Sequence, residues 1–177
     1  MIETLISSKT RIKLLLKFFL NSNTTAYLRS LESEFGESSN AIRLELNRLE
    51  EAGMLSSFLE GNKKMFRANT KHPLFREVHV ILLKTIGLDQ VIETIIDRLG
   101  EVEKIYLVGE FAKGLDSPII DLIFCGNIDR NYLVGLAERA EDLVKRKIRY
   151  LTYQTQEFEQ LQVGGFHNDA LLLWSND

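Results

Sequence analysis

Five residues in the stretch LVGEFAKGLDSPIIDLIF, positions 107–124, trace the outline of a nucleotide-handling site: Gly109, Glu110, Lys113, Gly114 and Asp121. A glycine-flanked turn lets backbone N–H groups approach an anion, and a lysine adds positive charge. An aspartate on the following strand is a candidate metal ligand. Nucleotide chemistry asks for more. Mg²⁺ must clamp triphosphate oxygens and activate a nucleophile. Two carboxylates at i and i+2 of a strand point to one face and hold the metals together. The i−2 neighbour of Asp121 is Ile119. The later strand IRYLTYQ holds no carboxylate, and Arg149 is its only charge. Glu110 and Asp116 are close in sequence but lack the i, i+2 relation to Asp121. The expectation is a vestigial nucleotide site with no catalytic residue, no metal ligand set and no cofactor. Asp121 then caps a loop or pairs with Lys113.

The elements that must carry these residues follow an α/β order. KIYLVG reads as a strand, EFAKGLDS as a turn with helical potential and IIDLIFCG as a strand. YLVGLAERAEDLVKRK reads as a helix, IRYLTYQ as a strand and QEFEQL as a short final helix. Cys125, alone of its kind and inside an apolar run, reads as a core residue. A single cysteine forms no internal disulfide, which fits a reducing cytoplasm. Trp174 is expected to cover apolar surface or to sit in a dimer contact.

The first half has a different rhythm. SSKTRIKLLLKFF opens on a serine cap and spaces Ile12, Leu15, Leu16 and Phe19 as a helix does. AYLRSLESEF is a short second helix that Gly36 stops. AIRLELNRLEEAG is a third, with Ile42, Leu46 and Leu49 on one face and Gly53 as its C-terminal stop. MLSSFLEGNKKMFRAN reads as a hairpin about Gly61-Asn62. Three short helices and a basic hairpin are the order of a winged helix-turn-helix. The third helix then presents Ser39, Asn40, Arg43 and Asn47 away from its core face. Arginine pairs with guanine and asparagine with adenine. Ser38 at the helix start is placed to hold a phosphate, and Lys63 and Lys64 at the hairpin to reach phosphates or the minor groove. Leu44 shares the exposed side, to touch a thymine methyl or to pack on another part of the chain.

Charge divides the same way. Residues 1–80 carry twelve Lys/Arg against nine Asp/Glu, a balance of +3, so the remainder of a chain with net charge −3 sums to −6. A basic first part joined to an acidic second part suggests modules with different partners. No apolar run approaches the roughly 18–20 residues that span a bilayer, and the start has no signal-peptide cleavage pattern.

On SSKTRIKLLLKFF, SSNAIRLELNRLEEAGML and GNKKMFRAN, residues 5–70 resemble the ArsR-type winged-helix transcriptional regulators. That resemblance implies DNA binding as a two-fold dimer. The metal sensors of this type use Cys and His clusters. Here only Cys125, His72, His79 and His167 are present, so no metal site is expected. VGEFAKGLDSPIIDLIFCG resembles the minimal nucleotidyltransferase domains, whose signature is Gly-Ser, three residues including a basic one, Gly, and an Asp-x-Asp pair. Gly109, Lys113, Gly114 and Asp121 match it. Glu110 stands where the phosphate-side serine belongs, and a carboxylate beside a triphosphate costs about 1 kcal/mol or more. Ile119 stands where the first aspartate belongs. With HPLFREVHVILLKTIGL as a connecting helix, residues 5–165 are similar to bacterial proteins that join the two modules.

The expected fold class is α+β/α/β. A winged helix-turn-helix occupies residues 1–72, linker helices 73–98, and a nucleotidyltransferase-like α/β domain with a mixed sheet 99–177. The expected function is transcription regulation by a cytoplasmic protein that is not an enzyme. Its partners are double-stranded DNA, a second copy of the chain and a small-molecule or protein effector, with no membrane. The second domain serves dimerisation or sensing. The alternative is an active Mg²⁺-dependent nucleotidyltransferase that uses the winged helix for targeting.

Overall fold

In the computed structural model, which describes residues 2–96 and 99–176, the chain divides after Thr85 into two units. The division falls within the expected linker, where α5 (Phe75–Ile86) and α6 (Leu88–Ile96) lie. Positions 97 and 98 of that linker, and positions 1 and 177 of the flanking domains, lie outside the described residues.

The first unit begins with a four-residue helix, α1 (Ile2–Leu5), and then α2 (Lys9–Leu15). The Ser8 hydroxyl accepts from the Arg11 N–H at 3.2 Å and caps α2 as its sequence suggests. The helix continues through a π-helical turn, Leu16–Leu20, all five residues of which are buried. The second helix starts later than the sequence implies. Thr25–Tyr27 form a short strand, β1, and α3 runs Leu28–Phe35. Two effects set this boundary. The Ser30 hydroxyl accepts from Tyr27 N–H at 3.2 Å and donates to its carbonyl at 2.7 Å, fixing the helix start. The backbone of Thr25–Tyr27 pairs with the open edge of the hairpin.

Ser38 caps α4 (Ser39–Glu51), which buries Ile42, Leu46 and Leu49 as its periodicity dictates. β2 (Leu55–Glu60) and β3 (Lys63–Ala68) close around Gly61-Asn62, with Gly61 at φ +59°, where a side chain is disfavoured. The three-stranded antiparallel sheet has the order β1-β3-β2. Phe18, Phe19, Leu31, Ile42 and Leu46 are at most 1 % exposed and form the centre of this unit.

The second unit is a mixed α/β sheet domain of order β6-β5-β4-β7. β4 (Gly100–Val108) and β5 (Ile119–Ile128) are antiparallel, joined through the one-turn helix α7 (Gly109–Ala112). α8 (Arg130–Val144) crosses over to β6 (Lys147–Tyr153), which lies parallel to β5. The Asp129 side chain caps α8 by accepting from the N–H groups of Asn131 and Tyr132. After α9 (Thr155–Val163), β7 (Leu171–Ser175) pairs antiparallel with the far side of β4. β7 was not expected. Its run LLLWS lacks the alternation that marks a half-exposed strand, and Trp174 sits opposite Ile105 within the sheet. Leu122 to Gly126 are consecutively buried, as befits a central strand covered on both faces. On one face Tyr106, Val108, Ile123 and Cys125 pack with Phe158 of α9. Burial pushes the Cys125 thiol up to about 12, which suits a core residue. Among the described residues no helix is long and apolar enough to cross a membrane.

Candidate functional site

Capping and the hydrophobic face together orient α4. With Ile42, Leu46 and Leu49 turned inward, Asn40, Arg43 and Asn47 are exposed and Ser39 is half-buried. Ser38 is exposed, and its hydroxyl accepts from Ala41 N–H at 3.3 Å. A groove of about 560 Å³ runs between this helix and the hairpin. Its polar rim includes Arg29, Arg43, Asn47, Asn62, Lys63 and Lys64. Ser38, Ser39 and Asn40 lie at the start of α4, outside the groove lining. Among the described residues no Asp or Glu lines it, and of its four cations Lys64 is offset by Glu50 just outside the lining.

Sequence reasoning did not single out Arg29 and Tyr27. Both reach the groove because β1 brings the start of α3 against the hairpin. The Lys63 ammonium lies 4.5 Å from the centre of the Tyr27 ring, a cation–π contact. Lys64 is held differently. Its ammonium is 2.7 Å from Glu50 and 5.0 Å from the centre of the Phe66 ring. Hydrogen bonds from Lys64 and the Ser57 hydroxyl hold the Glu50 carboxyl below its ordinary range. Leu44 is 51 % exposed beside Arg43.

Ion pairs join the helices of this unit. Arg11 Nε is 2.8 Å from Glu45, and Arg48 is 3.2 Å from the same carboxylate, which is only 6 % exposed. Lys13 is 2.6 Å from Glu37, and Lys17 reaches Glu34. Burial pushes the Glu45 carboxyl up, but hydrogen bonds from Arg11 and Ser8 outweigh it and the net direction is down. Arg11–Glu45 ties α2 to α4, Lys17–Glu34 ties the π-helical turn to α3, Lys13 reaches Glu37 in the link between α3 and α4, and Arg48–Glu45 lies within α4.

In the second unit the Gly109 turn and Asp121 come together. Val108 is the register partner of Asp121 across β4 and β5. Gly109 sits at φ +70°, and a Cβ there would lie 2.5 Å from Asp121 Oδ2. The glycine is thus required by conformation and by space. The partner of Asp121 is Arg149, its register neighbour on β6, and not Lys113. Arg149 Nε donates to Oδ1 at 2.6 Å and Nη2 donates to Oδ2 at 3.0 Å. The Asp121 side chain is 15 % exposed and that of Arg149 68 %. The carboxylate holds the guanidinium above its ordinary pKa through this hydrogen bond and its charge.

Lys113 is 3.7 Å from Glu110 across one helical turn, both half exposed. Gly114, at φ +77°, donates to the Phe111 carbonyl at 2.9 Å and ends the turn. Asp116 pairs with Arg146 at 3.0 Å. A paired Mg²⁺ centre does not fit this donor set. Asp121 already gives both oxygens to a guanidinium, Ile119 offers none, and Glu110 and Asp116 pair with cations. Among the described residues no group of three His, Cys, Asp or Glu side chains is placed to hold a metal. A cavity of about 590 Å³ opens beside the pair, with Leu122, Ile148, Tyr150, Leu151 and His167 in its wall.

No family model matches the chain, and no curated protein matches it. Among solved structures, a mutant of the toxin–antitoxin pair MntA–HpeT aligns at 17 % identity and a TM-score of 0.41, over 51 % of this chain and 73 % of that one. A protein of Sulfolobus solfataricus described as a "putative nucleotidyltransferase" aligns at 20 % identity and a TM-score of 0.35, over 55 % of this chain and 83 % of that one. Both are distant likenesses to part of the chain.

Proposed function

We propose that the first unit is a winged helix-turn-helix that binds double-stranded DNA to regulate transcription, with α4 as its recognition helix and the β2–β3 hairpin as its wing. The observation that carries this reading is the groove between them. It is lined by Arg29, Arg43, Lys63 and Lys64, with Asn47 on α4 and no lining carboxylate among the described residues. An α-helix fits the major groove, and cations flanking it meet phosphates. In this reading the ArsR-like dimer sets two α4 helices about 34 Å apart. The second unit is a nucleotidyltransferase-like domain without transfer activity, used for dimerisation or for sensing. Titration of the full chain into its own promoter region, at several salt concentrations, tests the reading. Binding must weaken as salt rises and must weaken in Arg43→Ala.

A second reading, nucleotidyl transfer by the second unit, is favoured by one observation. The left-handed Gly109 turn and Asp121 border a cavity of about 590 Å³. Its test is transfer of labelled nucleotide in the presence of Mg²⁺. Transfer that disappears in Asp121→Ala establishes this reading and overturns the inactive one.

A further inference from the structure

We propose that the cavity beside Asp121 and Arg149 binds a small organic acid with an apolar body and a single carboxylate. Its volume of about 590 Å³ lies within the range of small-molecule sites. On the Asp121–Arg149 face its apolar lining comes from Val108, the register partner of Asp121 and 5 % exposed, and from Leu151, two residues beyond Arg149 and 48 % exposed at the solvent side, while Leu122 and Ile148 occupy the alternate positions of their strands. Such a wall suits an aromatic or aliphatic body.

The polar groups select the charge. Asp121 occupies Nε and one Nη2 donor of Arg149, which leaves both N–H groups of Nη1 and one of Nη2 unused by that pair. The guanidinium is 68 % exposed, so an incoming carboxylate finds donors without displacing Asp121. The charges of Asp121 and Arg149 cancel, and His167 adds an imidazole. A ligand with one negative charge gains the remaining donors. A triphosphate, with several charges, meets a lining that does not offset them and a carboxylate beside it. The ligand class therefore differs from a nucleotide. The inference goes beyond the DNA-binding reading and stands or falls separately from it.

The test uses the full chain and two probes, 2-naphthoate and its uncharged analogue 2-naphthamide, titrated while backbone amide shifts are followed by NMR. The expected result is saturable shifts at Gly109, Leu122 and Leu151, with naphthoate bound about five-fold or more tighter than naphthamide. Arg149→Gln removes that preference, and Leu151→Trp blocks both probes by filling the opening. Should Arg149→Gln fail to fold, salt dependence in the unaltered chain decides, because only naphthoate must weaken as NaCl rises. Three results overturn the proposal: no saturable shifts at these amides, equal affinity for the two probes, or an unchanged preference in a folded Arg149→Gln chain.

Discussion

Arg149 and Asp121 face one another in register on the parallel strands β6 and β5, and the guanidinium takes both carboxylate oxygens at 2.6 and 3.0 Å. The side chain that would anchor a metal thus anchors an arginine. Two obstacles to Mg²⁺ are superposed, the cation already present and the aliphatic Ile119 two residues earlier on the same strand.

These obstacles can be removed one at a time. Mg²⁺ at about ten times a millimolar Kd would stabilise a folded chain by about 1.4 kcal/mol if a site existed. Thermal melts of the unaltered chain, of Arg149→Gln and of Ile119→Asp should not move with Mg²⁺. The double variant Ile119→Asp/Arg149→Gln should gain a Mg²⁺-dependent rise in Tm. A rise in the unaltered chain would contradict the account of this site.

Gly109 is held by two constraints, and they can be separated. Gly109→Ala places a Cβ at φ +70° and 2.5 Å from Asp121 Oδ2. It should cost about 2–3 kcal/mol in chemical denaturation. Adding Asp121→Ala removes the Oδ2 and Cγ contacts but leaves Cβ at 3.2 Å and the backbone strain, so the double variant should recover part of the loss relative to Asp121→Ala alone. Strict additivity would show that the space around Gly109 does not matter.

Acid should loosen the first unit through a buried carboxylate, Glu45, and a half-buried one, Glu37. Glu37 and Glu45 both have folded pKa values below the ordinary 4.5, against the opposing push of burial. The unfolded chain therefore takes up protons first as pH falls. The stabilisation is fully present above about 4.5 and is lost below it, as pH falls through the folded values. Denaturation of the full chain at pH 7 and below 4.5 should show this loss, and Glu45→Gln should make it shallower while costing about 1–2 kcal/mol at pH 7. An acid limb of equal steepness in Glu45→Gln would remove Glu45 from the explanation.

Lys63 and Lys64 are neighbours with unequal freedom. Lys64 is bound to Glu50 at 2.7 Å, whereas Lys63 lies over the Tyr27 ring at 4.5 Å. A phosphate contact by Lys64 must compete with a carboxylate. Lys63→Ala should therefore reduce the salt slope of DNA binding by about 1, and Lys64→Ala by less. Tyr27→Leu should weaken binding in the same direction as Lys63→Ala, with Tyr27→Phe close to the unaltered chain, in fluorescence anisotropy titrations. A larger effect from Lys64→Ala would reverse the assignment.

What could be read in the sequence was what local chemistry decides. Ser8 and Ser38 mark helix starts, Gly53 and Gly61-Asn62 mark a stop and a turn, and Ile42, Leu46 and Leu49 give the buried face of α4. The α/β order of the second unit followed from periodicity in the same way. What escaped was decided by distant partners. β1 is a strand because β3 offers it an edge, and β7 because β4 does. Tyr27 and Arg29 join the groove through that pairing. Arg149 was visible as the lone charge of the run IRYLTYQ, but only the parallel register of β5 and β6 sets it on Asp121. Lys113, nearer in sequence, pairs within its own helical turn instead.

The central claim is that the face of α4 and the adjoining hairpin bind duplex DNA. The most direct measurement is the affinity of the full chain for its promoter duplex as a function of salt, for the unaltered protein and for Arg43→Ala. The account predicts that log K falls linearly with log salt, and that Arg43→Ala costs about 1–3 kcal/mol on the specific duplex. Binding that ignores both salt and the loss of Arg43 would contradict it.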